Sequence, residues 1–323
     1  MACVWRTCSS SPRPARGISR APRASSWSRR GLRGDRPIEA LLYGVGAAVA
    51  FGFGDYAAAM ATRRVGVVLT SIGMQSVGLA AYAVTLAGLG RWPTFEWEQV
   101  PYALALSVIG IVSLAALYRA FAIGPIAVVS PVVASYAALT VVLIVIFLGE
   151  RLTGGQAVAI GVTFVGVAVA STDIRALRQT LGRPGEGVRI GFFATLGFAV
   201  WSAIFAAGIR ATDGLALIVV QRAFSVVLLA LFVIARGISL RPLAERRALA
   251  LVAATGVLDT GANVLLALGI AAGFASFVMT GSGAYPLIPA LLAISVLRER
   301  LAPNQYVGVV VLVGGLVALG LQS

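Results

Sequence analysis

Beyond Pro37, apolar residues follow one another in long runs broken only by brief clusters of Gly, Pro, Thr, Arg and Glu. A hydrocarbon core of about 30 Å is crossed by roughly 20 helical residues, each rising about 1.5 Å. The pattern therefore predicts ten spans, at 38–60, 65–89, 99–122, 125–148, 154–171, 190–211, 214–235, 248–272, 274–297 and 303–321. Strands are disfavoured, because the runs exceed the roughly ten residues of a barrel strand and do not alternate strictly between polar and apolar positions. The connections at Gly124-Pro125 and Ala272-Gly273 are so short that the flanking helices must form antiparallel hairpins. Glycines inside the spans, among them Gly44, Gly46, Gly52, Gly54 and Gly314-Gly315, suit close helix packing.

The polar breaks carry a repeat. Gly149-Glu150-Arg151-Leu152-Thr153-Gly154-Gly155-Gln156 recurs as Arg298-Glu299-Arg300-Leu301-Ala302-Pro303-Asn304-Gln305. The same shift of 149 residues superposes Tyr136 on Tyr285, Gly124 on Gly273 and Gly166 on Gly315. The chain reads as a duplication: a tail at 1–37, a first unit at 38–171, a linker at 172–189 and a second unit at 190–321. Five spans per unit make the second copy enter the membrane from the opposite side. The expected fold is an all-α integral membrane protein, ten transmembrane helices arranged as two inverted five-helix repeats. Two such bundles, related by a pseudo-twofold in the membrane plane, can rock about a site between them.

Composition agrees, with 59% hydrophobic and 12% charged residues and a mean hydropathy of +0.92, where soluble domains carry roughly 25% charge. The net charge of +14 does not imply nucleic-acid binding, because residues 1–37 alone hold nine arginines against Asp35. That tail is rich in Ser, Pro and Arg and is expected to be disordered. It lacks the apolar run and cleavage site of a signal peptide. It reads as an anionic-lipid contact, a dispensable cytoplasmic extension, or sequence upstream of the true start. Cys3 and Cys8 both lie there, so no disulfide or thiolate chemistry is expected in the spans. His and Lys are absent from the chain, which removes imidazole bases, Schiff-base lysines and the P-loop lysine. No acidic cluster has metal-binding spacing. Neither a cofactor, a metal nor an enzymatic activity is expected.

With its doubled Glu-Arg-Leu-x-x-x-x-Gln signature between long apolar spans, the chain resembles the EamA-type transporters of the drug/metabolite transporter superfamily, over nearly everything after residue 38. The resemblance implies that the signature falls between the fourth and fifth helices of each half. It also implies that Arg222 is the family's arginine in the second helix of a half, whose first-half counterpart is Gln75 or Ser76.

Ionised groups near the bilayer centre cost at least about 2.5–3.5 kcal/mol on insertion scales and so face a cavity or a partner. Asp259, near the middle of the eighth span, has Asn263 one turn later on the same face, and Gly256 three residues before it is expected to open space. It either binds or couples, or it caps a helix break or pairs permanently with an arginine. Arg222 lies at a similar depth. Pairing would keep Asp259 ionised, whereas an unpaired carboxyl in an apolar cavity would take up protons. Asp55 and Arg119, on parallel helices at the same side, form either a gate pair or a helix cap and a snorkelling arginine. Tyr136, Tyr285, Trp201 and Tyr118 are pocket candidates suited to a polar or cationic solute, or else packing residues. Glu150, Arg151, Glu299 and Arg300 are expected to be structural, capping helices and fixing a turn, and Trp92, Trp97 and Tyr102 to anchor the interface.

The reading that results is a gradient-driven secondary transporter of a small organic metabolite, amino-acid-like, cationic or drug-like, working by alternating access in a plasma (cytoplasmic/inner) membrane. Its partners would be the solute and the lipid bilayer, and the chain would act as a monomer or homodimer. A lipid-linked substrate flippase and a structural or regulatory membrane protein are the alternatives. Arg-rich loops at 172–189 and 236–247 oppose cytoplasmic termini, while the tail and the resemblance favour them.

Overall fold

The computed structural model describes residues 37–88, 94–123, 129, 132–172, 186–285, 288 and 302–322, without the side chains of Tyr118, Phe121 and Ala122. The tail with both cysteines, Trp92, the Gly124-Pro125 connection, most of the linker, the second half of the ninth predicted span and the Glu299-Arg300 signature lie outside the described residues. Within them are ten α-helices: α1 (Pro37–Val65), α2 (Val67–Gly88), α3 (Gln99–Ile123), α4 (Tyr136–Leu148), α5 (Gly154–Ser171), α6 (Glu186–Ala211), α7 (Gly214–Ala235), α8 (Arg246–Ala272), α9 (Ala275–Ser282) and α10 (Pro303–Leu321). Eight are long and apolar enough to cross a membrane. The other two are α4, part of a shorter apolar helix at Val132–Leu148, and α9, described for eight residues. The protein is therefore an all-helical, multi-pass membrane protein.

Local sequence sets the helix ends. The chain turns between α1 and α2 at Gly66 and leaves α4 at Gly149, both at positive φ, where only glycine is unstrained. Asp213 accepts from the backbone N–H groups of Leu215 and Ala216 and starts α7. Thr153 and Gln156 form a reciprocal capping box at the start of α5. Its repeat equivalent, Ala302, has no hydroxyl, so Gln305 alone folds back, accepting from the Ala302 N–H at 2.9 Å.

Alternating helix directions give the bundle two ends. The near end carries Pro37, Gln322 and the turns at 149–153, 212–213 and 273–274; the far end carries Gly66 and the segment 236–245, where Arg64 pairs with Glu245 at 3.1 Å. The main packing partners are α1 with α8 and α9, α2 with α8, α3 with α6 and α7, and α4 with α6. Adding or subtracting five from each helix number turns one set of pairs into the other. The pairs α5–α10, α2–α7 and α4–α9 map onto themselves. The helices thus form two mixed groups, α1-α2-α8-α9 and α3-α4-α6-α7, rather than one five-helix bundle per sequence repeat. Each group draws helices from both 38–171 and 190–321.

The α5–α10 crossing is reciprocal in detail. A Cβ on Gly166 would run into the Leu312 backbone, one on Gly315 into Thr163, and one on Gly308 into Ala170. Leu312 is Thr163 shifted by 149 residues. Indices rise on one helix as they fall on the other, so the two equivalent helices pack antiparallel. The repeated glutamines clamp both ends: Gln156 Nε2 donates to Gln322 O at 3.2 Å, and Gln305 Nε2 to Ala170 O at 3.3 Å.

The two ends differ. The largest apolar cluster, with Leu106, Ile144, Phe205, Ile270 and Phe277 at its centre, fills the near half. Glu150 is buried there, accepting from the backbone N–H groups of Ala275 (2.7 Å) and Ser276 (3.0 Å) and pairing with Arg210. Sequence placed Glu150 in a local turn at the membrane boundary. It caps a helix as expected, but a distant one: it closes the N-terminus of α9, 125 residues away in sequence, and joins it to the end of α6, while Arg151 is exposed. Trp97 is exposed, as an interface anchor would be, and Tyr102 packs near Gly208.

At the α5–α10 crossing, Gly166→Ala is expected to lower stability by about 1–3 kcal/mol through overpacking. Gly314→Ala, where nothing lies within 4 Å, is the control and leaves the thermal midpoint in detergent unchanged or slightly raised.

Candidate functional site

The site grows from one cation. Arg222 on α7 has only 2% of its side chain exposed, and a charge so buried is tolerated only when paired and hydrogen-bonded. Its Nη2 donates to Asp259 Oδ2 at 2.5 Å and its Nη1 to Gln75 Oε1 at 2.7 Å. Asn263, one turn beyond Asp259, donates from Nδ2 to Asp259 O at 2.8 Å and to Oδ2 at 3.3 Å. These bonds tie α2, α7 and α8 together at mid-depth. Small residues permit the approach. A Cβ at Gly78 would lie 2.9 Å from Arg222 Nη1, and one at Gly256 would lie 2.7 Å from Met74 O and 3.1 Å from Gly78 N. Gly256 therefore does not open space beside Asp259; it admits α2.

A cavity of about 590 Å³ lies beside this cluster, within the range of small-molecule sites. It takes residues from both mixed groups and extends from Leu266 and Met279, in the near-half apolar cluster, to Val67 and Phe232 towards the far end. Its wall is mostly apolar. Asp55, Arg222 and Asp259 are the charged residues on it among those described. Arg222 and Asp259 neutralise each other. Asp55 does not share their bonds: its side chain is exposed to the cavity, with no hydrogen bond or ion pair among the described residues.

Arg119 is exposed and absent from the cavity wall, so the expected Asp55–Arg119 gate pair is not formed. The reason is direction: Arg119 points out of the bundle near the end of α3, whereas Asp55 points in. Tyr136 and Tyr285 meet across the α4–α9 crossing with ring centroids 6.2 Å apart, and Phe198 lies 5.9 Å from Tyr136. Trp201 is on the wall but anchored, its Nε1 donating to Leu106 O at 2.9 Å and its ring stacked on Phe205. The Tyr118 side chain lies outside the described residues. Sequence reading did not single out Phe198, Gln221 or Ser225. Gln221, whose Nε2 donates to Ser225 Oγ at 2.9 Å, was visible only as an amide beside Arg222 in an apolar span.

Arg222→Ala would strand the Asp259 carboxylate and is expected to remove about 3–5 kcal/mol of stability, read as a lowered unfolding midpoint in detergent. Adding Asp259→Asn to that variant should restore part of the loss, because one orphaned charge costs more than the absence of both. Additive losses would show that the two do not interact.

Residues 38–172 match the model of the EamA-like transporter family. No curated protein matches the chain in sequence. A solved structure described only as the crystal structure of a protein superposes with a TM-score of 0.66 at 18% identity, covering 88% of this chain and 97% of that one. At that identity the likeness speaks for the fold alone. Residues 38–172 are thus similar to the EamA-like transporter family, within a chain whose fold resembles that solved structure over most of its length.

Proposed function

We propose that this protein is a secondary transporter that carries a small organic solute through the cavity by alternating access. The observation behind this reading is the cavity's position: both mixed helix groups line it, it extends towards one end, and the described residues of the other end hold the large apolar cluster. The reciprocal, antiparallel α5–α10 contacts and the paired exchange of the other helices support two inverted five-helix repeats at 38–171 and 190–321 joined by the 172–189 linker, all ten helices spanning. A twofold-related sequence in an asymmetric state has a counterpart state of similar packing with the ends exchanged. Passing between them would rock α1-α2-α8-α9 against α3-α4-α6-α7, and release of Glu150 from α9 would accompany opening of the near end.

Asp55, Asp259, Asn263, Tyr136, Tyr285 and Trp201 are the proposed solute-binding or coupling residues, with Arg222 holding Asp259. No nucleotide-binding loop occurs in the sequence, so gradients would supply the drive. In a plasma membrane with cytoplasmic termini the cavity would face outward.

Transport is tested by solute uptake and efflux in proteoliposomes. The access cycle is tested in a Cys3→Ser, Cys8→Ser background. Ser71→Cys on the cavity wall should react with a membrane-impermeant thiol reagent from the far side. Ser276→Cys, buried beside Glu150, should react from the near side only while solute is being moved. Equal and constant reactivity of Ser276→Cys in both conditions would contradict alternating access.

A further inference from the structure

We infer that the cavity selects an organic monocation with an aromatic or apolar body, held by Asp55 as its counter-ion. This rests on the cavity being the solute site of the proposed transporter. Charge favours a cation. Of the three charged wall residues among those described, Arg222 and Asp259 are joined at 2.5 Å, which leaves Asp55 as the carboxyl that faces the open space without a partner. A lone carboxylate in apolar surroundings is unfavourable, so the group either holds a proton or takes a cation as its partner. The bound solute is that cation.

The same bonds disfavour other solutes. An anion, or the carboxylate of an amino acid, would need a free cation. Arg222 is the cation on the described wall, and both of its terminal nitrogens are engaged, by Asp259 and Gln75. Its remaining Nε is buried without a partner, out of a solute's reach. A divalent metal would need more ligands than one carboxylate, and no group of three potential ligands occurs among the described residues.

The wall favours an organic cation too. Tyr136, Tyr285 and Phe198 form a run of rings with neighbouring centroids 6.2 and 5.9 Å apart, on the same cavity as Asp55. Aromatic faces attract cations, most strongly when water is excluded. The apolar remainder of the wall suits a hydrophobic body, not a small hydrated ion. Asp55 is thereby the specificity-determining residue for the cation.

The test uses the full chain in lipid nanodiscs, with phenyltrimethylammonium and its uncharged isostere tert-butylbenzene as probes and equilibrium binding as readout. The wild-type chain should bind the cation saturably and prefer it to the isostere. Asp55→Asn should weaken cation binding by about tenfold or more, a typical loss when one partner of a close charge pair is removed, while Asp55→Glu retains it. A wild-type chain that fails to prefer the cation, or an Asp55→Asn protein that binds it unchanged, overturns the inference. Should Asp55→Asn fail to fold, the wild-type preference alone decides. Cation binding without movement in proteoliposomes would sink the transport reading and leave this site standing. Movement of neutral or anionic solutes with no cation binding would do the reverse.

Discussion

The bond between Arg222 and Asp259 is the constraint on which the middle of this molecule depends. An arginine with 2% exposure in a bundle without lysine or histidine requires a carboxylate, and the carboxylate must come from another helix. That requirement brings α8 to α7, and Gln75 brings α2 to both. Gly78 and Gly256 are the shape this approach demands, since a methyl group at either would strike the cluster or the opposing backbone. By consuming its own charge, the pair leaves Asp55 as the group that gives the cavity a sign.

Around that cluster, positions related by the 149-residue shift make contacts that answer one another. Gly166 meets Leu312 and Gly315 meets Thr163; Tyr136 meets Tyr285. Helices related in this way have no intrinsic reason to prefer one end of the bundle over the other, yet among the described residues the large apolar cluster lies towards the near end and the cavity extends towards the far end. The near end is held by an interaction as well as by packing, because Glu150 satisfies the first backbone donors of α9 while pairing with Arg210. Under the proposed inverted repeats, a bundle of like halves resting in an unlike state would have the bistability that alternating access needs.

Much of the architecture was legible in the sequence, and the reason is physical. Span length is a property of each segment alone, so the boundaries of α5, α7 and α10 follow from hydropathy to the residue. Which helix a segment touches is a property of two segments, and hydropathy does not carry it. Gly166 and Gly315 were visible as a repeated pair, but not that each seats against the other's helix. Glu150 read as part of a turn because its neighbours form one; its real partners lie 60 and 125 residues on. A meeting of Arg222 with Asp259 could be raised from depth alone. Arg119 and Asp55 also share a side of the bilayer, yet they fail to meet because depth does not fix the direction in which a helix face points. At the site, therefore, residue types were readable and their alliances were not.

The central claim is that the two ends open in opposition, and it is most directly measured by distances between spin labels in proteoliposomes, one pair joining the near ends of α6 and α9 and another joining the far ends of α2 and α7. The account predicts two populations, in which the near-end distance lengthens whenever the far-end distance shortens, with solute shifting the balance between them. A single population at both ends under every condition, or two distances that lengthen together, would contradict it.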